Sequence, residues 1–288
     1  MFGFLNINKP SGKTSHDIVS ILRKVTGIKQ IGHAGTLDPL ASGVLPIAIG
    51  KATKLIDYLP SDKRYVVGLE FGKTSDTFDI EGRVEKLDCK SVSLEQIKSV
   101  LPSFRGKIEQ VPPAYSAVHY KGKRLYELAR TGKIPQDIPS RTIEIYRNEI
   151  VDFDERNQRL KLDISCSKGT YIRTIVNDLG LKLNNGAVMF ELIRKESAGM
   201  KLESAIDLNN DISVELIQEK LINPAKILPL NAFDIDDEEY MLVKNGCQIK
   251  NRFEKANNTD ILLLKNGILI ALAQTTGEYI SPKKVMLS

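Results

Sequence analysis

Apolar residues at helical spacing predict two amphipathic helices in the first two thirds of the chain. Thr14 and Asp17 form a capping-box pattern at the start of the first helix, and Gly27 marks its end. The second helix lies within "SKGTYIRTIVNDLGLKLNNG". The apolar positions are Ile18, Ile21, Leu22 and Val25 in the first helix and Ile172, Ile175, Val176 and Leu179 in the second. Each stripe predicts a helix that packs one face on a core.

Alternating apolar and polar residues predict strands close to these helices. The apolar positions are Tyr65, Val67, Leu69 and Phe71 in one strand and Leu160, Leu162, Ile164 and Cys166 in another. The second strand runs directly into the second helix. Strands and helices in alternation, without a Gly-x-Gly-x-x-Gly sequence, indicate a mixed α+β enzyme and not a dinucleotide-binding Rossmann unit.

The pattern changes to short strands after residue 230. The segment "ILLLKNGILIALAQT" has two apolar runs on either side of Asn266-Gly267, a dipeptide typical of tight hairpin turns. We expect a main domain over residues 1–230 and a compact all-β C-terminal domain over residues 231–288. The boundary is expected near the segment "NPAKILPL".

Residues 111–143, between the two predicted strands, are expected to form an insertion with one short helix. Four prolines bracket its aromatic and basic residues, which are Tyr115, Tyr120, Tyr126, Lys121, Lys123, Arg124 and Arg130. Rings that stack on bases and cations that meet phosphates are typical of proteins that bind single-stranded RNA. The composition is equally typical of an ordinary surface excursion, so both interpretations remain open at this point.

The composition is that of a globular chain with a substantial core. Of its 288 residues, 42% are hydrophobic and 27% are charged, and the formal net charge of +5 permits a nucleic-acid partner without indicating one. We expect no membrane span, because no apolar stretch approaches the roughly 18–20 residues needed, and no signal peptide. Cys89, Cys166 and Cys247 lie far apart, which favours neither disulfides nor a zinc site. A cytoplasmic location is therefore expected.

The segment "GHAGTLDPLASGVLP" places unusual backbone freedom around one carboxylate. Pro39 disfavours the helical region for Asp38. The neighbouring glycines, Gly32, Gly35 and Gly43, can adopt conformations that other residues resist. We therefore expect the Asp38 side chain to project from a loop. An ordinary turn uses the same residue types, so the spacing alone does not distinguish a functional loop from a plain one.

Several motifs, in the same order, resemble the TruB family of bacterial tRNA pseudouridine synthases. "GHAGTLDPLASGVLPIAIGKATK" is similar to the family's active-site segment, and "NKPSGKTSHDIV" is similar to its N-terminal segment. "SDKRY" resembles its Lys-x-Tyr motif, "SKGTYIRTIVNDLG" its second active-site strand and helix, and "LIRKESAG" a further motif. Ala34, Ser42 and Ser75 depart from the commoner family residues and leave the aspartate unchanged. The tail resembles a short PUA-type RNA-binding module.

The resemblance implies a pseudouridine synthase fold with a mixed central sheet, an RNA-binding insertion and a PUA-like C-terminal domain. It also implies isomerisation of uridine 55 in the T-loop of tRNA, after that uridine has been flipped out of its stack. The reaction breaks the C1′–N1 bond and forms a C1′–C5 bond without redox change, so we expect no cofactor and no metal. The T-arm of tRNA is the expected partner of a monomeric enzyme.

The resemblance implies catalytic roles for two charged residues. Asp38 matches the family's catalytic aspartate, which acts as nucleophile or stabilises the sugar. Whether it attacks C1′, attacks C6 or assists elimination stays open. Arg173 matches the arginine that keeps this carboxylate ionised and oriented. Composition alone favours the other interpretation, in which Arg173 is an exposed residue in the first turn of a helix.

Four further residues match the family's base-binding pocket. Tyr65 and Tyr171 match its tyrosines, Leu192 matches its apolar wall, and His33 matches the histidine that stacks where the base was withdrawn. The alternative for His33 is a general base, and for the two tyrosines it is ordinary core packing. We favour the pocket interpretation for all four residues.

Two other classes of function fit parts of this pattern. A nucleoside or base glycosidase would also need a carboxylate at C1′, but it would release free uracil. A non-catalytic RNA-binding protein would keep only the pocket, which Asp38 and Arg173 argue against. The guide-RNA-dependent archaeal and eukaryotic branch of the family has a similar glycine loop, whereas "LPIAIGKATK" and the short tail resemble the stand-alone bacterial type.

Overall fold

A computed structural model describes residues 1–208, 212–253 and 257–286. Within these ranges, the strands that precede residue 230 are β1 (Gly3–Lys9), β2 (Ile31–His33), β3 (Ser42–Ile49), β4 (Lys63–Phe71), β5 (Lys73–Ser75), β6 (Val84–Lys86), β7 (Gly106–Gln110), β8 (His119–Tyr120), β9 (Lys123–Arg124), β10 (Arg141–Asp154), β11 (Arg159–Cys166), β12 (Ala187–Ser197), β13 (Met200–Lys201) and β14 (Ile206–Asp207). Those that follow are β15 (Asn231–Asp234), β16 (Ile249–Lys250), β17 (Asp260–Lys265), β18 (Ile268–Thr276) and β19 (Tyr279–Val285).

Short helices connect these strands. The α-helices of the described ranges are α1 (Ser15–Thr26), α2 (Leu94–Val100), α3 (Leu125–Arg130), α4 (Ile172–Lys182), α5 (Val214–Glu219), α6 (Pro224–Ile227) and α7 (Asp237–Lys244). The 3-10 segments are Gly50–Tyr58, Leu101–Phe104 and Leu202–Ser204. None of the helices in the described part of the chain has both the length and the apolar character needed to cross a membrane.

One large mixed sheet organises the first 230 residues. Its strand order is β14-β1-β3-β12-β4-β11-β10-β7, with β2 added to β3 and β13 added to β12. The β1–β14 and β3–β12 pairs are parallel, and the other neighbours are antiparallel. Strands β3, β12 and β4 therefore lie side by side at the centre. The mixed α+β class expected from the sequence is confirmed.

The two helices predicted from periodicity are confirmed with their ends. Thr14 accepts a hydrogen bond from the Asp17 amide while the Asp17 side chain accepts one from the Thr14 amide, which completes the capping box of α1. Gly27 ends α1 in the left-handed conformation with φ 71°. Helix α4 buries its predicted stripe, and Arg173 lies in its first turn.

The two faces of the central strands carry separate apolar cores. Leu45 and Ile47 of β3 belong to the larger cluster, which includes α1, α4 and alternate residues of β4 and β11. Val44 and Ala48 point to the other face and belong to a second cluster. The alternation follows from the period of two along a strand. Both faces of β3 are thus buried, which explains its nearly continuous apolar sequence.

The C-terminal residues form a second sheet of order β15-β17-β18-β19-β16. Asn266 and Gly267 have φ values of 52° and 74°, so they form the tight turn that the sequence predicts between β17 and β18. Helix α7 also lies in this region, and the sequence pattern did not reveal it. Met241 and Leu242 are exposed on α7 and only Val243 is buried, so the helix has no apolar stripe to detect.

The second sheet packs directly on the first. The smaller cluster joins Phe4, Val44 and Leu55 of the main body with Leu272 and other residues of the tail. Lys284 also donates a hydrogen bond to the carbonyl of Lys54 at 2.6 Å. The boundary near residue 230 coincides with the start of β15, and it stays a proposal, because the apolar core extends across it.

A chain that ends at Leu230 is expected to melt on the order of 10 °C lower than the full chain. It exposes several buried side chains of the smaller cluster, each contributing roughly 1.5–3 kcal/mol, and about 1 kcal/mol corresponds to roughly 2–4 °C in a protein of this size. Because Tyr65 and Leu192 belong to the other face of the sheet, we expect the folded truncated chain to keep the activity that the family resemblance implies, measured on a T-arm hairpin.

Thermal denaturation and turnover at a temperature below both transitions check this expectation. With full-length tRNA, the truncated chain should also lose roughly one to three phosphate contacts from the salt dependence of binding. An unchanged melting temperature would show that the shared cluster contributes little. A folded truncated chain without turnover on the hairpin would mean that the tail supports the active site.

Candidate active site

Asp38 lies in the loop between β2 and β3, as the glycine-rich segment predicts. Gly35 and Gly43, on either side of it, have φ values of 110° and 102°, which disfavour any other residue. A Cβ atom on Gly43 would lie 2.3 Å from the main-chain oxygen of Arg194, so only glycine fits where β3 pairs with β12. Gly32 differs from the expectation, because it lies within β2 and has no positive φ.

Arg173 and Asp38 form an ion pair across the pocket floor. The Arg173 Nε lies 3.0 Å from Asp38 Oδ2, and Nη2 donates to Oδ1 at 3.4 Å. The Arg173 side chain is only 6% exposed, whereas that of Asp38 is 34% exposed. The alternative of a solvated arginine is therefore wrong. The ion pair and the single hydrogen bond hold the carboxylate against the guanidinium and leave part of it open to the pocket.

A second carboxylate, Asp79, holds the far side of the same guanidinium. Arg173 Nη1 lies 3.3 Å from Asp79 Oδ2 and donates to the carbonyl of Thr77 at 3.1 Å. Asp79 is 2% exposed, and its Oδ1 accepts hydrogen bonds from the Thr77 hydroxyl at 2.6 Å and the Glu81 amide at 3.0 Å. Arg173 therefore has little freedom to leave Asp38.

The insertion also reaches this network. Arg173 Nη2 donates to the carbonyl of Tyr115 at 3.2 Å, so the main chain of residues 111–143 contacts the residue that orients Asp38. A segment with the composition of an RNA-binding element is thus connected to the carboxylate through one guanidinium.

Opposing effects set the ionisation of Asp38. Burial raises the pKa of its carboxyl above the ordinary value, and the nearby Asp79 carboxylate raises it further. The cations Arg173, Lys9 and Arg194 lower this pKa. The net direction is upward, so Asp38 titrates at a higher pH than a solvated aspartate. A carboxylate that is ionised with few waters around it interacts strongly with positive charge that develops at a sugar carbon.

All six residues singled out from the sequence lie around one cavity of about 700 Å³. These residues are His33, Asp38, Tyr65, Tyr171, Arg173 and Leu192. Tyr65 and Leu192 are each 6% exposed and come from the adjacent strands β4 and β12. The insertion covers another side of the cavity with Tyr115, Ser116, Ala117, Tyr126 and Arg130. The cavity is large enough for a nucleotide and combines aromatic walls with a charged floor.

Tyr171 is held from two directions at the start of α4. Its amide donates to Gln110 Oε1 at 2.8 Å, and its carbonyl accepts from Gln110 Nε2 at 3.0 Å. The guanidinium of Arg141 lies 4.7 Å from the centre of its ring. Gln110 ends β7 and Arg141 begins β10, and the two residues are paired in the sheet, so these contacts hold Tyr171 at the cavity wall.

His33 lies at the cavity wall five residues before Asp38. Burial lowers the pKa of its imidazole, and the neighbouring Arg194 and His16 side chains lower it further, so the neutral ring predominates near pH 7. Its Nδ1 is buried and has no hydrogen-bond partner among the described residues. A neutral, partly buried ring is suited to stacking against a base.

Lys9 supports the Asp38 loop from the N-terminal segment. Its Nζ donates to the carbonyls of Pro10 at 3.0 Å, Lys13 at 2.6 Å and Pro39 at 3.3 Å. The residue is completely buried, and burial lowers the pKa of its amine to about 8. The turn that follows β1 is thereby joined to the residue next to Asp38.

The buried amine of Lys9 makes the stability of the protein depend on pH. Its pKa in the folded state, about 8, is below the ordinary 10.5, so the unfolded chain binds the proton more tightly and stability rises with pH between these values. Relative to Lys9→Met, the wild type should therefore gain about 2 kcal/mol of unfolding free energy between pH 7.5 and 9.5. Urea denaturation at the two pH values measures this difference. Lys29→Met, at an exposed lysine, is the control and should show no such change.

Three residues that hold this site were missed in the sequence. Lys9 and Arg194 lie inside the quoted segments "NKPSGKTSHDIV" and "LIRKESAG", and Asp79 lies four residues after Ser75. Their partners come from other elements, and a single sequence gives no sign of such contacts. The family motifs were the only sign that these segments matter, and they did not indicate which residue of each segment contacts the Asp38 loop.

The chain was compared with known proteins. The family model described as TruB family pseudouridylate synthase (N terminal domain) matches residues 23–172, more than half of the chain. A protein named tRNA pseudouridine synthase B from Clostridium perfringens (strain ATCC 13124) is 42% identical over 295 residues, covering 100% of this chain and 99% of the relative. The protein of the same name from Clostridium tetani is 40% identical, with 100% of both chains covered.

Solved structures share the fold. A Cbf5-Nop10-Gar1 complex contains a chain of 26% identity that matches with a TM-score of 0.73, covering 99% of this chain and 85% of that one. A chain in an H/ACA RNP bound to a substrate RNA containing 2′-deoxyuridine matches equally well, with a TM-score of 0.73 at 24% identity, covering 100% of this chain and 86% of that one. The matched family model and the relatives aligned from end to end agree with the fold and with the motifs around Asp38. The chain belongs to the TruB family of pseudouridylate synthases.

Proposed function

We propose that this protein isomerises uridine 55 of tRNA to pseudouridine, with Asp38 as the catalytic carboxylate. The observation that carries the proposal is the Asp38–Arg173 ion pair at the floor of a nucleotide-sized cavity. End-to-end relatives named tRNA pseudouridine synthase B support tRNA as the substrate. We propose further that the protein works as a monomer in the cytoplasm.

In the proposed mechanism, the target uridine leaves the stacked T-loop and enters the cavity. Asp38 acts on the ribosyl–uracil unit while Arg173 keeps the carboxylate ionised and in plane. The C1′–N1 bond breaks, the uracil turns, and C5 takes the place of N1 on C1′. The C5 proton is lost and N1 gains one, so atoms and electrons balance without a further reactant. A tight pocket is required because the detached base must not escape.

The walls of the cavity suit the detached base. Tyr65, Tyr171 and Leu192 would enclose a uracil between two rings and an aliphatic side chain. His33, as a neutral ring at the cavity wall, would stack on the tRNA where the uridine was withdrawn. Tyr65 also packs in the larger apolar core, so the proposal gives it a second role at the cavity.

The insertion is proposed to grip the T-loop. Tyr126 and Arg130 line the cavity, and the Arg130 guanidinium lies 5.4 Å from the centre of the Tyr126 ring. Lys121 and Lys123 are exposed on the β8–β9 hairpin and can meet phosphates. The tail is proposed to add phosphate contacts further along the tRNA, through cations such as Lys250.

Mapping pseudouridine on an unmodified tRNA transcript tests this function. The transcript is incubated with the protein, treated with carbodiimide under conditions that leave adducts only on pseudouridine, and read by primer extension. We expect one stop that corresponds to position 55. A transcript with cytidine at position 55 is the control and should give none. Stops elsewhere, or no stop with a folded protein and tRNA, would contradict the proposal.

A further inference from the structure

Arg194 lies beneath the Asp38 loop in the middle of β12. It is completely buried and is among the largest fully buried side chains in the described residues. Its Nε donates to the carbonyl of Val44 at 2.7 Å, Nη2 to that of Gly35 at 3.0 Å, and Nη1 to that of Thr36 at 3.4 Å. Two of these carbonyls precede Asp38 and one follows it. A single guanidinium therefore joins both ends of the loop.

The positive charge of Arg194 is stabilised by main-chain carbonyl groups and, in the described part of the chain, not by a carboxylate. Within residues 1–208, 212–253 and 257–286, no carboxylate lies within ion-pair distance of it, whereas Arg173 contacts two carboxylates and Arg64 contacts Asp163 and Glu196. Burying a cation without a counter-ion is costly. The planar fork recovers part of this cost only while several carbonyls converge on it, so the loop conformation and the arginine depend on each other.

The main chain at Arg194 packs closely against both neighbouring strands. The main chain of Arg194 pairs with Gly43 on one side and with Tyr65 on the other. A Cβ on Gly43 would collide with the Arg194 main chain at 2.3 Å, so the strands approach as closely as glycine permits. Burial raises the pKa of the Tyr65 hydroxyl, and the positive charge of the neighbouring Arg194 opposes this rise. Arg194 thus connects the Asp38 loop with a wall of the cavity.

We propose that Arg194 is a positioning residue, which sets the place of the Asp38 carboxylate relative to the sugar by fixing the carbonyls of Gly35, Thr36 and Val44. The proposal rests on the proposed function of Asp38 and adds a second arginine with a separate task. Arg173 orients the carboxylate directly, while Arg194 fixes the backbone that carries it. Small displacements of a reacting group from its productive geometry cost up to about 100-fold in rate.

The charge of Arg194 acts on Asp38 as well. Charged and titratable groups surround Asp38 from every element packed around the cavity. They are Lys9 on β1, His16 on α1, His33 on β2, Lys63 and Tyr65 on β4, Asp79 and Glu81 after β5, Tyr115 in the insertion, Tyr126 and Arg130 on α3, Tyr171 and Arg173 at the start of α4, and Arg194 on β12. Arg194 lowers the pKa of the Asp38 carboxyl. Removal of its charge should therefore move the acidic limb of the activity profile to higher pH.

Two substitutions separate geometry from charge. Arg194→Lys keeps the charge but has one ammonium in place of the fork, so we expect kcat to fall about tenfold with KM within threefold and an unchanged acidic limb. Arg194→Met loses both the charge and the planar fork, so kcat should fall roughly 10–100-fold and the acidic limb of the pH–activity profile should move to higher pH. Leu160→Ala, at a fully buried residue of β11 that does not line the cavity, is the control for destabilisation alone.

The assays use full-length tRNA at a temperature where denaturation curves show each variant to be folded. Wild-type kcat in Arg194→Lys, or the same loss of kcat in Leu160→Ala as in the Arg194 variants, would overturn the positioning role. If Arg194→Met does not fold, Arg194→Lys alone decides the question. A folded wild type that leaves tRNA uridine unchanged would instead overturn the proposed function, so the two failures are distinguishable.

Discussion

Asp38→Asn is expected to lower turnover at least about 10³-fold, because the amide can neither attack carbon nor stabilise positive charge at the sugar. tRNA binding should stay within roughly threefold, since affinity comes mainly from phosphates and stacked bases. Single-turnover conversion of unmodified tRNA measures the first quantity, and filter binding at fixed salt measures the second.

A matched control for this substitution is Asp178→Asn. Asp178 is also a half-buried carboxyl, and burial raises its pKa, but it lies in α4 away from the cavity. It should keep turnover close to wild type. Substantial turnover in Asp38→Asn, or an equal loss in Asp178→Asn, would contradict the assignment of Asp38.

Arg173→Ala is expected to lower kcat at least about 100-fold, with a much smaller effect on affinity. The substitution frees Asp38 and leaves Asp79 as a buried carboxylate without its ion-pair partner. Arg173→Lys should restore little activity, because an ammonium cannot contact Asp38, Asp79 and the Tyr115 carbonyl together. Single-turnover conversion assays quenched at fixed times measure the rate, and binding measurements on the same preparations measure the affinity.

Asp79→Asn refines this prediction. The amide oxygen can still accept from Thr77 and Glu81, while the charge that holds Arg173 is lost, so a loss of roughly 10–100-fold in kcat is expected. Asp79 does not line the cavity and its ion pair is with Arg173, so apart from its effect on the pKa of Asp38, its substitution should have little further effect on kcat in the Arg173→Ala background. A change confined to the dissociation constant in either variant would instead make Arg173 a contact for the RNA backbone.

Local patterns in the sequence predicted the elements that carry the site. The period of α1, with Thr14 before it and Gly27 after it, and the alternation in β4 were sufficient, because both depend on neighbouring residues. Helix α7 was not predictable in the same way, since its apolar residues are exposed. The contact between the two sheets was also hidden, because Ala48 and Leu272 show only that each is apolar and not that they share a core.

The resemblance selected the residues around the cavity, but the sequence did not show how they are held. Asp79 is 94 residues from Arg173, and Arg194 is 150 residues from Val44. Contacts at such separations leave no periodic signal in one chain. The same limit applies to Lys9, whose buried amine supports a loop 30 residues further on. The supporting network is therefore a finding of the structure.

The measurement that tests the central claim most directly is tritium release from tRNA labelled at C5 of uridine. Forming the C1′–C5 bond replaces the hydrogen on C5, so isomerisation of one uridine releases one tritium to water and leaves the base attached. The account predicts one tritium released for each tRNA by the wild type, no tritiated uracil, and no release by Asp38→Asn. Tritiated uracil in solution would identify a glycosidase, and intact label on folded tRNA with folded protein would leave only an RNA-binding protein. Either result would contradict the account.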